Sequence, residues 1–268
     1  FLEMAEEMIE LAEKSNIPKY LGYGYLMKAV QSYVKMMGLG SNEKKDVNDE
    51  LLEEVMLNAN KTIDIARSLN NLKGEITAKN IMALSLQSAE RYQESLIMIK
   101  EMGDIYKKMD DKIEIIKNNN MASMIYNAMG DYSNAIKLLD EELEYYESNN
   151  KSFMAVMALY QRMEAILKQG KKLSDNDLDE LYAEGINMSE GADADVVALN
   201  GLYTNMGLIK IVQEDYSSAL DVLLKSSQIG KELREIDDTG GGLDESSAIL
   251  VTFCKKMLGR DISKDLND

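Results

Sequence analysis

Histidine and tryptophan are absent from these 268 residues, and cysteine and proline occur once each. Without histidine, Ser-His and Cys-His nucleophiles lose their base and the common zinc sites lose a ligand. No catalytic residue, metal or cofactor is therefore expected. The one cysteine, Cys254, excludes an internal disulfide. With Leu250, Phe253, Met257 and Leu258 around it, it reads as a small buried side chain in a protein kept in a reducing compartment. The one proline, Pro18, points to long helices, whose interiors exclude proline, and hence to an all-α fold. No run approaches the ~18 uninterrupted apolar residues of a membrane span, and no basic stretch leading into an apolar one opens the chain. The expected setting is the cytoplasm, away from membranes.

A basic stripe is missing as well. Thirty basic residues stand against 47 acidic ones, a net charge of −17. Lys171-Lys172 and Lys255-Lys256 are only short pairs, so no direct nucleic-acid contact is expected. The acidic residues are spread along the whole length. They read as a solvated outer face that keeps the chain soluble, with attraction of a cationic or helical partner as the other reading.

With 45% hydrophobic residues the chain can bury a sizeable core. What organises it is a repeat. Gly130-Asp131-Tyr132-Ser133-Asn134-Ala135 recurs in degraded form from Glu90 to Ser95 and from Glu214 to Ala219. Tyr92 and Tyr132 lie 40 residues apart, and Tyr132 and Tyr216 lie 84 apart, which is two periods of 42. A period of that size fits one pair of helices per repeat. The weaker copy lies around Gly170, with Leu159, Met163 and Ile166 before the turn and Leu178, Leu181 and Tyr182 after it.

Apolar spacing predicts first helices near 17–38, 73–89, 112–129, 151–169 and 194–213, and second helices near 47–70, 91–108, 131–148, 174–189 and 215–236. The expected domain is a single one over 1–259, with repeats at 15–70, 73–108, 112–148, 151–189 and 194–236, a closing helix at 245–259 and a polar tail at 260–268. Phe1 to Lys14 then reads as the second half of a preceding pair, and the chain as a fragment of something longer. The segment Asn200 to Val212 is apolar on several sides and must be sandwiched. Gly240-Gly241-Gly242 lacks the Lys-Ser/Thr of a phosphate loop and reads as a flexible connector. Asp175-Asn176-Asp177-Leu178-Asp179 begins like a calcium loop, but Glu180 and Ile186 stand where glycine and glutamate are required, so it reads as a helix start.

Tyr126, Gly130, Asp131, Tyr132, Ala135 and Leu139 in one repeat, and Tyr203, Asn205-Met206-Gly207, Tyr216, Ala219 and Leu223 in another, resemble tetratricopeptide repeats. The resemblance is to the long-period variety found in bacterial signalling proteins. It implies a right-handed α-α superhelix of about five to six helix pairs, with small residues such as Ala83, Ala122, Gly207, Ala135 and Ala219 where helices approach. Departures are the long period, the missing closing proline, and Ser95 and Glu142 at small-residue positions. The resemblance also implies a peptide- or protein-binding concave face, lined here by Asn80, Leu84, Gln87, Asn120, Met124, Asn127, Tyr160, Thr204 and Asn205. An amide both donates and accepts, so it can hold a peptide bond whatever the ligand sequence. The other reading of these asparagines is that they are common in the repeat, or that Asn118-Asn119-Asn120 caps a helix. The function expected is a non-catalytic regulatory module of a larger signalling or transcription-regulating protein. The alternative is a scaffold or homodimerisation module without a small ligand.

Overall fold

A computed structural model describes residues 2–38, 49–149, 151–170, 183, 196–236 and 241–262. Among them it has eleven helices, α1 Leu2–Lys14, α2 Pro18–Met36, α3 Asp49–Ser68, α4 Leu72–Ser88, α5 Tyr92–Lys108, α6 Lys112–Ala128, α7 Tyr132–Ser148, α8 Ser152–Gln169, α9 Val196–Val212, α10 Tyr216–Ile236 and α11 Gly241–Met257. No strand occurs among the described residues. The fold is all-α, and its helices stand within a few residues of where apolar spacing puts them. The second helix expected at 174–189, including the Asp175 segment, lies outside the described residues.

One turn chemistry repeats along the chain. After Tyr126 and Asn127 near the end of α6, Gly130 adopts φ +77°. Its N–H donates to the Asn127 carbonyl at 3.1 Å, and the Asp131 N–H donates to the Tyr126 carbonyl at 2.9 Å. This pair of bonds closes a helix C-terminus around a left-handed residue. Asp131 then caps α7, its side chain accepting from the Asn134 N–H at 3.3 Å. Glu90 with Arg91, and Glu214 with Asp215, make the same pair of closing bonds. Both glutamates sit at positive φ, 57° and 65°. The recurring sequence is thus a helix stop, a helix start and, at Ala135 or Ala219, a fully buried contact.

By internal contacts the chain forms two compact units, Phe1–Ile125 and Tyr126–Asp268. In the first, α1 to α5 each pack on the next. Its core joins Ala29, Ala59, Ile63, Ala78 and Met82, with a neighbouring cluster of Met36, Leu52 and Leu86. Two small-residue expectations are refined here. Ser95 is buried and donates to the Ala83 carbonyl at 2.8 Å, so the hydroxyl is satisfied at a position where only a small residue fits. The close-packed position of α6 is Ser123, 1% exposed, rather than Ala122, because Ser123 shares the register of Ala83. Beneath this core Lys79, 3% exposed, sits between Glu75, at 3.6 Å, and Glu101, and Arg67 donates to Glu75 from two nitrogens at 2.8 and 3.0 Å.

In the second unit α7 packs on α8, α8 on α9, and α9 on both α10 and α11. Leu202, Met206 and Ile209 are buried, which is the sandwiching that the breadth of apolar residues on α9 requires. At Gly207 a Cβ would come within 2.5 Å of the Leu223 side chain, so only glycine admits this approach of α10. Ala219, Leu220, Leu223, Val251 and the fully buried Cys254 form the core, and burial pushes the Cys254 thiol pKa up. Gly241 and Gly242 do not form a connector. They open α11, whose first turn needs no intrahelical partner for its N–H groups.

Candidate functional site

The exposed stripe of α4 follows directly from what its other faces bury. Ala78, Lys79, Met82, Ala83, Ser85 and Leu86 point into the first unit. That leaves Thr77, Asn80, Leu84 and Gln87, at helical spacing, facing outward. Asn80, Leu84 and Gln87 are each half-buried, and the side chains of Asn80 and Gln87 have no hydrogen-bond partner among the described residues. Forty residues on, α6 turns Asn118, Ser123 and Ile125 inward. Asn120 and Met124 occupy the registers of Asn80 and Leu84, Asn120 half-buried and Met124 50% exposed. The first unit therefore presents an amide followed by an apolar side chain at matching places on two helices.

Sequence reasoning missed three neighbours on these faces. Thr77 continues the α4 stripe, Ile113 is 51% exposed and about two turns before Asn120, and Ser88 donates to the Met37 sulfur at 3.3 Å, joining the outward ends of α4 and α2. Thr77 and Ile113 were legible as outward positions of an apolar helix pattern. The Ser88 contact, across 51 residues, was not.

In the second unit the expected residues fare differently. The Asn127 side-chain oxygen is shielded and accepts no hydrogen bond among the described residues. Tyr160 lies against α9, where a Cβ on Gly201 would come within 2.7 Å of its ring. Burial, and then the charge of Glu164, raise the phenol pKa. Asn205 is not offered outward. It is 7% exposed and donates to the Tyr160 carbonyl at 3.4 Å, tying α9 to α8. Thr204 is also committed internally. Its hydroxyl donates to the Asn200 carbonyl at 3.0 Å and shares a 2.8 Å bond with Ser226, which in turn bonds Ser247 at 2.8 Å. The bonds of these two residues tie α9 to α8, α10 and α11, and Thr204 is half-buried.

Among the described residues no group of three or more His, Cys, Asp or Glu could hold a metal ion, and no helix is long and apolar enough to cross a membrane.

The class that these elements define is an all-α array of helical hairpins. Comparison with solved structures makes it more particular. A Podosopora anserina protein described as a kinesin light chain with nearly identical TPR-like repeats superposes with TM-score 0.58, at 10% identity, over 81% of this chain and 98% of that one. A Signal Transduction ATPase with Numerous Domains from Pyrococcus horikoshii, which has a tetratricopeptide repeat sensor, superposes with TM-score 0.57, at 15% identity, over 99% of this chain. This chain spans only 40% of that protein's length. No family model and no curated protein matches the sequence. The chain has the tetratricopeptide-like fold.

Proposed function

We propose that this chain is a non-catalytic binding module that holds a peptide or protein partner on the outward faces of its first helices. The observation that carries the reading is the repeated pairing of Asn80 with Leu84 and of Asn120 with Met124. Asn80 keeps an amide without a hydrogen-bond partner among the described residues, in the same helix face as half-buried Leu84. An extended or helical backbone would meet a donor and acceptor from the amide and a sticky surface from Leu84 and Met124. Gln87 adds a further amide one turn on.

A regulatory role in a larger cytoplasmic bacterial signalling or transcription-regulating protein goes with this reading. The Pyrococcus horikoshii protein carries its repeats as a sensor in a signal-transduction ATPase. Helical-repeat arrays suit such work because small rotations between repeats add up. Native mass spectrometry of the purified chain tests the proposal. A retained peptide, lost from the Asn80→Ala, Asn120→Ala double variant, is expected. Equal retention by both proteins would place the ligand elsewhere, and a chain that captures nothing from a peptide library would leave the scaffold alternative.

A further inference from the structure

Two apolar surfaces remain that the proposed binding face does not use. One is a groove of about 380 Å³ between α1 and the start of α2, lined by Met4, Met8, Leu11, Ala12, Ile17 and Tyr20, with Glu7 at its side. Met4, Leu11 and Tyr20 are 59%, 55% and 50% exposed. The other is a ridge on α11, where Ile249, Phe253 and Met257 follow one another at helical spacing and are 69%, 40% and 48% exposed. Phe253 is steadied by an edge contact with Tyr216, ring centroids 6.0 Å apart.

The charges around the two surfaces are opposite. α1 carries five glutamates against one lysine. Lys28 pairs with Glu6 and Lys14 with Glu10, while Glu3, Glu7 and Glu13 have no basic partner among the described residues. The α11 ridge runs into Lys256, in the last turn, and exposed Arg260, neither with an acidic partner among the described residues. In a chain of net charge −17, a border in which Lys255, Lys256 and Arg260 outnumber the one exposed carboxylate beside them among the described residues, Asp261, is a local reversal.

We propose that the α11 ridge of one copy docks in the α1–α2 groove of a second copy, with Lys256 and Arg260 meeting the α1 carboxylates. Ridge and groove differ, so the contact is heterologous, and each copy leaves one surface free for the next. The association is head to tail and weakens with salt, because its charge pairs lie at an exposed rim.

Sedimentation equilibrium on the 268-residue chain tests this, using Leu11→Glu to block the groove and Ile249→Glu to block the ridge. Both sites are already more than half exposed, and circular dichroism confirms that the variants fold. The average mass of the unmodified chain is expected to rise above that of a monomer with concentration at low salt. The self-association constant should fall at least about tenfold when the Debye length is cut to ~3 Å at 1 M salt. Each variant alone stays monomeric. An equimolar mixture forms a 1:1 pair that grows no further, since one intact ridge meets one intact groove. A monomer at every concentration overturns the proposal, as does either variant dimerising alone or a mixture that forms no pair.

Discussion

Asp131 and Gly130 show how much one residue settles in this fold. At Gly130 and Asp131 a left-handed residue closes one helix and a polar one opens the next, and glycine is the residue that adopts positive φ without cost. Gly130→Ala is expected to lower stability by about 1 kcal/mol, while Glu90→Gly and Glu214→Gly, which relieve the same conformation, raise it by a comparable amount. Urea unfolding of the three variants reads the sign directly. Asp215 caps α10 by accepting from the Ser218 N–H at 3.2 Å, and that serine, by side chain and backbone, holds the carboxyl pKa below the ordinary aspartate value. A depressed pKa stabilises the fold above the unfolded-state value and ceases to do so as pH falls through the folded-state one. Asp215→Ala should therefore cost about 1 kcal/mol at neutral pH, and the difference from the unmodified chain should vanish in acid. The turn residues were legible in the sequence because their chemistry is local. Asn205 was not, because the bond that hides it goes to a carbonyl 45 residues away.

At the scale of the helix, boundaries were readable within a few residues because left-handed stops such as Glu90, Gly130 and Glu214, and caps such as Asn71 and Asp131, punctuate the chain. Packing register was readable less well. Ser123 takes the place read for Ala122, since composition alone does not say which of two adjacent small residues turns inward. Gly241 and Gly242 were misread as connector, since glycine in a first turn looks the same as glycine in a loop. The charge cluster of Arg67, Glu75, Lys79 and Glu101 left no sequence trace, because Lys79 and Glu101 lie 22 residues apart on different helices. It makes a sharp prediction. Removing both carboxylates by Glu75→Ala with Glu101→Ala strands a buried ammonium and should cost about 3–5 kcal/mol. Lys79→Met removes the charge instead and leaves Glu75 its Arg67 partner, so it should cost far less. Thermal unfolding of the two variants decides the order, and equal losses would mean that the cluster acts by packing alone.

For the molecule as a whole, fold was legible and site only in part. A period of 40 and helical apolar spacing specify stacked hairpins whatever the partner. Which side chains face outward depends on what neighbouring helices bury, and that sorted the nine candidate residues unequally. Asn80, Leu84, Gln87, Asn120 and Met124 stay on outward faces of the first unit, whereas Thr204 and Asn205 knit the second together. The central claim is that the matched amides of α4 and α6 hold a peptide backbone. Calorimetric titration of the retained peptide into the chain, its Asn80→Ala, Asn120→Ala variant and a Leu57→Ala control on exposed α3 tests it most directly. Loss of two hydrogen bonds at about 0.5–1.5 kcal/mol each should weaken binding by roughly ten- to a hundredfold in the double variant and leave the control unchanged. Equal affinity in all three proteins would contradict the account.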